Sequence, residues 1–198
     1  MSSPNIPVGV YSEAQFTHPR PDCPHPERWS THDIQGTERE VIEMIAGMIR
    51  GLQPDTVLET GTSRGFMAEA IGRALLQNGR GVLHSFEPDP ATHAEAVARI
   101  SGVEDQDVLP INLWNQPSMT PWDHGPIDFA WFDSLLQLRE PEMDFYSQWF
   151  HGRTVIGFHD TAPHFGVWSH SLMQRRELDP VRLPTPRGVI LARWVPKS

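Results

Sequence analysis

Three side chains able to do acid–base or metal chemistry follow two apolar runs in the second half of the chain. Asp133 comes directly after the run 127–132, and His159 and Asp160 come directly after the run 154–158. A histidine beside carboxylates can take a proton from a hydroxyl near neutral pH, so all three are candidate catalytic residues. Asp133 and Asp160 could also hold a hard cation such as Mg²⁺, which prefers oxygen ligands. A structural interpretation stays open, in which Asp160 caps a turn and His159 lies in the core.

A turn containing two glycines follows the first apolar run of the chain. It reads Glu59-Thr60-Gly61-Thr62-Ser63-Arg64-Gly65, and a helical pattern begins directly after it. Gly61 and Gly65 let a ligand approach the backbone closely. Thr62 and Ser63 can cap the following helix, whose N-terminal amides favour a negative group. The segment offers G-x-x-x-G and not the dinucleotide fingerprint G-x-G-x-x-G, so a nucleoside carrying a carboxylate fits better than a pyrophosphate.

A further acidic signal is Glu87, which follows the run 82–86 roughly two dozen residues after the glycine turn. In doubly wound folds an acid at this place hydrogen-bonds ribose hydroxyls. The glycine turn and Glu87 together predict a cofactor that contains a nucleoside. A nicotinamide-dependent oxidoreductase would use the same acid and stays an alternative, although the third glycine of its fingerprint is missing.

Strands and helices are predicted to alternate along the chain. Apolar runs of strand length lie at residues 56–59, 82–86, 108–111, 127–132 and 154–158. Helical spacing of apolar residues predicts helices at 37–52, 66–77, 90–100, 140–150 and 166–176. Thr37 and Glu40 read as a capping box, and Pro110 predicts that the third strand lies at a sheet edge. Segments 181–183 and 189–194 predict a hairpin. The expected fold class is α/β, a doubly wound, Rossmann-like, mostly parallel seven-stranded sheet with a C-terminal antiparallel hairpin and helices on both faces.

The composition narrows the class of protein. The 198 residues carry 16 basic and 25 acidic side chains, a formal charge of −9, and 38% of them are hydrophobic. A chain of that length can bury a core as one domain. Its acidic balance argues against binding to nucleic acid, and it has no apolar run long enough for a membrane span. The single cysteine, Cys23, and the absence of a secretory signal favour a cytoplasmic location.

Residues 1–34 read as a proline-rich N-terminal arm, with six prolines among the first 30 residues. Proline at that density disfavours both helix and central strand. The arm is expected either to be disordered or to fold over the ligand pocket as a lid. The remaining residues, 35–198, are predicted to form a single catalytic domain.

These motifs resemble those of the class I S-adenosylmethionine (SAM)-dependent methyltransferases, in particular the small-molecule O-methyltransferases. The resemblance lies in E-x-G-x-x-x-G at 59–65, in Glu87, in the run 127–133 and in the segment 152–160 that ends in His-Asp. It covers roughly residues 35–195. It implies SAM as cofactor and O-methylation of a small hydroxylated molecule. A member of the fold that binds the cofactor or a partner without turnover stays an alternative.

The resemblance also implies roles for single residues. Gly61 and Gly65 would contact the methionine part of the cofactor, and Glu87 would bind its ribose. Glu59 would orient the glycine turn or the methionine ammonium group. Asp133 would face the cofactor sulfur or the methyl acceptor.

The chain departs from the family pattern at two places. Where relatives often carry an acid near the adenine, this chain has Trp114, which could stack on the adenine or lie in the core or a lid. After Asp133, where many relatives carry a histidine or lysine, the chain reads Ser134-Leu135-Leu136-Gln137. No base is therefore expected from that loop. A need for Mg²⁺ and a homodimeric state are left open.

Overall fold

Seven strands form the centre of the protein in a computed structural model, which describes residues 23–32, 36–101, 109–166 and 168–196. The strands are β1 (Thr56–Thr60), β2 (Val82–Phe86), β3 (Ile111–Trp114), β4 (Ile127–Phe132), β5 (Phe150–His159), β6 (Leu178–Leu183) and β7 (Val189–Trp194). The helices are α1 (Arg39–Leu52), α2 (Phe66–Asn78), α3 (Pro90–Ser101), α4 (Arg139–Tyr146) and α5 (Ser169–Leu172). Among the residues described, every helix is too short or too polar to cross a bilayer.

The strand order across the sheet is β3-β2-β1-β4-β5-β7-β6. β1 to β5 pair in parallel, and β7 pairs antiparallel with both β5 and β6. The predicted fold class is therefore confirmed, including the C-terminal hairpin. β3 is an outer strand, which confirms the edge position that Pro110 predicts.

The core lies on both faces of this sheet. On β4, Phe129 and Trp131 pack with the buried faces of α1 and α2. The alternate residues Ala130 and Phe132 pack on the other face, beside apolar side chains of α4 and α5. Successive strand residues point to opposite faces, so the apolar run of β4 is buried on both sides.

Several element boundaries differ from the predicted ones. β3 begins at Ile111, and residues 102–108 lie outside the described part of the chain. α4 ends at Tyr146 because a 3₁₀ turn, Ser147–Trp149, leads directly into a longer β5. The helix predicted at 166–176 reduces to the single turn of α5.

The capping box predicted at the start of α1 is wrong. α1 begins at Arg39 without a side-chain cap. The Thr37 hydroxyl donates to Asp133 Oδ2 over 2.8 Å. The Glu40 carboxylate accepts the N–H and the hydroxyl of Ser30, at 3.0 and 2.9 Å. Both side chains have tertiary partners, which take the place of the local bonds.

Candidate active site

A cavity opens at the carboxyl ends of β1 and β4, where the strand order reverses. These two strands are neighbours in the sheet, but the chain forms β2 and β3 between them. Ligands of open parallel sheets bind at such a switch point. The cavity has a volume of about 700 Å³, within the range of small-molecule sites. Its lining comes from the segments after β1, β2, β3, β4 and β5, from the first turns of α1, α2 and α4, from Arg187 before β7, and from the segment before α1.

Gly61 brings the turn after β1 against the end of β4. Its φ is +84°, and a Cβ atom at this position would lie 2.5 Å from the carbonyl oxygen of Asp133. The N–H groups of Gly61 and Thr62 both donate to the carbonyl of Phe86, at 3.0 and 3.1 Å. The turn is thus fixed between β2 and β4 in a conformation that glycine adopts without strain.

Thr62 and Ser63 line the cavity but do not cap α2. The N-cap is Gly65, with φ +81° and no side-chain bond to the helix. The buried Thr62 hydroxyl lies 2.5 Å from the hydroxyl of Ser85 on β2. The Ser63 N–H donates to Glu87 Oε2 over 3.0 Å. The predicted capping is therefore wrong, because contacts with β2 and its end hold these residues. Gly65 itself does not line the cavity.

Glu87 stands in the cavity wall at the end of β2. Its Oε2 accepts a hydrogen bond from the N–H of Ser63, and its Oε1 accepts one from the N–H of Asp89; both distances are 3.0 Å. A carboxylate oxygen has two lone pairs, so each can accept one more hydrogen bond. The carboxylate is held in place and remains able to receive two hydroxyl donors.

Glu59 is buried behind the glycine turn and does not line the cavity. Its Oε2 accepts a hydrogen bond from the Ser85 hydroxyl, and its Oε1 has no partner among the described residues. Burial raises the pKa of Glu59 to about 8; the bond from Ser85 opposes this shift, and the charges of Asp133 and Glu87 reinforce it. Glu59 is thus mostly protonated at neutral pH and bound to the same serine that contacts the turn.

Trp114 is half-buried, packs against the core, and is not among the residues that line the cavity. Its indole packs with the rings of His84, Phe86 and His124, at centroid distances of 5.8–6.4 Å. Of the positions left open from the sequence, this placement is nearest to the core position, and a stack on adenine stays a prediction.

Six charged side chains meet at the ends of β4 and β5, and we call them the strand-end cluster. The acidic members are Glu38, Asp133 and Asp160, and the basic members are Arg139, His159 and Arg187. All three predicted catalytic residues thus come together. Asp133, Asp160 and both arginines line the cavity, whereas Glu38 and His159 do not.

His159 is fully buried, and each ring nitrogen faces a carboxylate. Nδ1 lies 3.1 Å from Asp133 Oδ1, and Nε2 lies 2.8 Å from Glu38 Oε2. Burial lowers the pKa of His159, but the charges of Asp133 and Asp160 and the bonds to Asp133 and Glu38 outweigh it and raise the pKa to about 10. A charged imidazole donates from both nitrogens. We therefore revise the role of general base predicted for His159, because it has no free lone pair and no access to the cavity.

Asp160 is held by two arginines. Its Oδ1 accepts from Arg187 Nε at 2.7 Å, and its Oδ2 accepts from Arg139 Nη2 at 3.0 Å. Burial alone would raise the pKa of Asp160, but the charges of His159, Arg139 and Arg187 outweigh it and hold the pKa well below its usual range. Its φ is +54°, a left-handed conformation in which Asp and Asn are enriched. Asp160 is a fixed anion.

Asp133 is more exposed than Asp160: 17% of the Asp133 side chain is exposed, against 8% for Asp160. Its Oδ1 accepts from Arg139 and from His159, at 3.0 and 3.1 Å. Its Oδ2 accepts from the Thr37 hydroxyl alone among the described residues. Oδ2 therefore keeps a lone pair for a donor in the cavity.

Glu142 on α4 is a cavity residue that the sequence did not single out. Its Oε2 accepts from the hydroxyls of Thr60 and Ser134, at 2.8 and 2.6 Å, and its Oε1 accepts from Ser118. Glu142 is fully buried. An acid within a helix usually faces solvent, so its type and position gave no signal for this place.

Arg139 and Arg187 are also absent from the sequence prediction. Each carries a charge that most arginines expose to solvent, yet the Arg139 side chain is 3% exposed and that of Arg187 is 13% exposed. The sequence did indicate that such partners must exist, because the carboxylates predicted at the strand ends need cationic or hydrogen-bonding partners when they are buried. The sequence does not tell which of its arginines supply them.

The segment before α1 contributes to the cavity wall. His32 stacks on Phe66 with ring centroids 4.2 Å apart, and both line the cavity together with Thr37. Thr31 and Glu38 form an isolated antiparallel bridge. Residues 1–22 and 33–34 of the predicted arm lie outside the described residues. In the described part of the arm, Cys23, Ser30 and Thr31 are buried, and closure as a lid stays a prediction.

Comparison with known proteins found a matching sequence family and similar folds. A sequence family described as a methyltransferase domain matches residues 58–161. No curated protein sequence matches the chain. Among solved structures, the methyltransferase PaMTH1 of Podospora anserina, bound to S-adenosylhomocysteine (SAH), has a similar fold with a TM-score of 0.68. It is 16% identical, over 82% of this chain and 81% of that one.

Two O-methyltransferases have similar folds. TomG of Streptomyces achromogenes, involved in tomaymycin synthesis and solved with SAM, is 16% identical over 82% of each chain, with a TM-score of 0.65. An O-methyltransferase of Bacillus cereus in complex with SAH is 11% identical over 80% of this chain and 83% of that one, also with a TM-score of 0.65. At these identities the likeness concerns the fold.

Proposed function

Because this chain belongs to the methyltransferase domain family, we propose that it transfers a methyl group from SAM to an oxygen of a small hydroxylated molecule. The observation that carries the proposal is that one cavity touches both the turn after β1 with Glu87 and the cavity face of the strand-end cluster. Methyl transfer is an in-line displacement, so donor and acceptor must share one enclosed space in a fixed orientation.

The cofactor half of the proposed site is the side of Gly61, Ser63 and Glu87. SAM supplies an electrophilic methyl group on a sulfonium. Glu87 would accept the two ribose hydroxyls on its free lone pairs, and Gly61 would allow the methionine part to approach the backbone. Pro88 and Met119 provide apolar lining for an adenine in place of Trp114.

The acceptor half of the proposed site lies beside Asp133. Leu135 and Leu136 provide apolar lining, and Arg187 lies with its guanidinium carbon 4.8 Å from the ring centre of Phe165. Asp133 Oδ2 would accept the hydrogen of the acceptor hydroxyl and take its proton as the methyl group is transferred. His159, Asp160 and Arg139 would act through Asp133, holding its carboxylate in position.

Cofactor binding can be tested by calorimetric titration with S-adenosylhomocysteine (SAH). We expect the protein to bind SAH and Glu87→Ala to weaken it by roughly tenfold to a hundredfold, through lost hydrogen bonds to a charged group. Glu43→Ala, an exposed acid on α1, is the matched control and should bind as the wild type does. Absence of SAH binding at millimolar concentration in the wild type would overturn the proposal.

Turnover can be followed as SAH release during incubation with SAM and a panel of small phenols, catechols and hydroxy acids. Asp133→Asn should lower turnover by about 10²–10⁴-fold, the usual contribution of a positioned base. The affinity for SAH should stay within a few fold, which separates loss of the base from loss of the fold. If Asp133→Asn keeps wild-type turnover, the acceptor binds elsewhere in the cavity.

A further inference from the structure

The guanidinium of Arg139 lies between the carboxylates at the ends of β4 and β5. Its Nη2 is 3.0 Å from Asp133 Oδ1 and 3.0 Å from Asp160 Oδ2. Its Nε donates to the carbonyl of Ser134 over 2.9 Å, and its Nη1 donates to the carbonyl of His159. Every guanidinium nitrogen therefore has an acceptor, as a buried charge requires.

The two carboxylates and His159 also have the spacing of a metal site. One ligand atom from each of these three residues lies within 4.8 Å of the others. Mg²⁺ needs near-octahedral oxygen ligands at about 2.0–2.1 Å. Such an ion would have to enter the space between Asp133 and Asp160 that the guanidinium takes. Neither ring nitrogen of His159 is available to it, because each faces a carboxylate.

All four oxygens of the carboxylate pair accept hydrogen bonds from protein donors. Asp133 Oδ1 accepts from Arg139, and its Oδ2 accepts from Thr37. Asp160 Oδ2 accepts from Arg139, and its Oδ1 accepts from Arg187. Asp133 Oδ2 keeps a second lone pair, but the guanidinium of Arg139 lies between the two carboxylates, where an ion shared by them would have to lie. The arrangement present therefore does not fit the Mg²⁺ that the sequence allows at Asp133 and Asp160.

Arg139 supplies one of the two guanidinium groups of the strand-end cluster. These two groups face the carboxylates of Asp133 and Asp160. Without Arg139 the cluster would leave buried carboxylate charge without its partner, which is strongly unfavourable. A cation from solution could then neutralise it.

We propose that Asp133 and Asp160 form a cation site whose permanent occupant is the guanidinium of Arg139, so that the protein holds no divalent metal there. The two carboxylates are close enough together to bind one cation, and the side chain of Arg139 supplies that positive charge. One consequence rests on the proposed function. The oxygen of the methyl acceptor would lie beside carboxylates whose negative charge is compensated by Arg139 and not by a metal ion.

The probe for this proposal is Mn²⁺, whose electron paramagnetic resonance signal from the free aqueous ion weakens on binding to protein. Five proteins are compared: the wild type, Arg139→Gln, Arg73→Gln, Asp160→Asn, and Arg139→Gln combined with Asp160→Asn. Arg73 is the matched control, because it pairs with Glu69 on the surface of α2 and has 45% of its side chain exposed. Circular dichroism checks that each variant is folded, and each titration is run with and without SAH.

We expect the wild type and Arg73→Gln to leave the Mn²⁺ signal unchanged at equimolar protein. Arg139→Gln should bind one Mn²⁺ per chain, and adding Asp160→Asn to it should abolish that binding. The proposal is overturned if the wild type binds one Mn²⁺ that Asp160→Asn removes, or if folded Arg139→Gln binds none. The wild-type measurement decides even where Arg139→Gln does not fold, and SAH affinity in the same samples reports separately on the proposed function.

Discussion

His159 keeps its proton because carboxylates surround a ring that water does not reach. Its pKa of about 10 in the folded protein compares with an ordinary value of 6.5, so the folded state binds this proton more tightly than the unfolded chain. The stabilisation is complete below pH 6.5 and is lost as the pH rises through about 10. The role that follows for His159 is to fix Asp133 and Glu38 with a permanent charge.

This role predicts a pH-dependent difference between the wild type and His159→Gln. The wild type should have the larger free energy of unfolding at pH 6.5, and the difference should shrink steadily toward pH 10. Denaturant titrations across this range measure it. His170→Gln, at an exposed position on α5, should show no such trend. A difference that stays constant over the range would contradict the charged state of His159.

At the scale of residues, the sequence identified anionic groups better than the cations that hold them. Asp133 and Asp160 end strands, and strand ends can be found from apolar runs, so their meeting at one edge was predictable. Arg139 begins α4 and Arg187 lies in the turn before β7, and the burial of both depends on tertiary packing. The protonation of His159 was missed for the same reason, because it depends in part on Glu38, more than 120 residues away.

At the scale of elements, the glycine turn joins β1 to β4 as well as facing the cavity. A side chain at Gly61 would meet the backbone of Asp133 before it met any ligand. The conformational freedom of Gly61 therefore serves the assembly of the sheet edge, and the binding of a cofactor depends on that assembly.

Two glycine substitutions separate backbone strain from this close approach. Gly79 has a φ of +66°, and a Cβ atom added there would have no atom within 4 Å. Gly79→Ala should therefore cost only the strain of the left-handed backbone, about 1–2 kcal/mol of unfolding free energy. Gly61→Ala has similar backbone strain, and its Cβ would also lie 2.5 Å from the carbonyl oxygen of Asp133. This substitution should therefore lower the unfolding free energy by roughly 1–3 kcal/mol more. Chemical denaturation measures both. Equal losses would mean that the turn can move away from β4.

The strands of the sheet were predictable because their apolar runs are short and bounded by turn residues. The boundaries that failed depend on contacts across the molecule. β5 extends back to Phe150, which pairs with Ile127 of β4, so its first turn-like residues become part of a strand. The single turn of α5 begins where the side chains of Trp168 and Ser169 bond to the segment after β5, contacts that the helical pattern after Gly166 does not reveal.

At the scale of the whole molecule, the net charge of −9 predicts weak interaction with nucleic acids. We expect no binding of duplex DNA or tRNA at physiological salt and micromolar protein, measured by fluorescence anisotropy of a labelled duplex. A basic DNA-binding domain of similar size serves as the positive control. Binding that weakens as salt is added would contradict this prediction.

The strand-end cluster joins parts of the chain that are far apart in sequence, and this has a consequence for the order of folding. Glu38 bonds to His159 across 121 residues and to the backbone of Arg187 across 149. Contacts of such separation are slow to form, because long loops must close first. During synthesis the cluster cannot close until Arg187, which precedes β7, has left the ribosome. We therefore expect substitutions in the cluster to speed unfolding while leaving the refolding rate nearly unchanged.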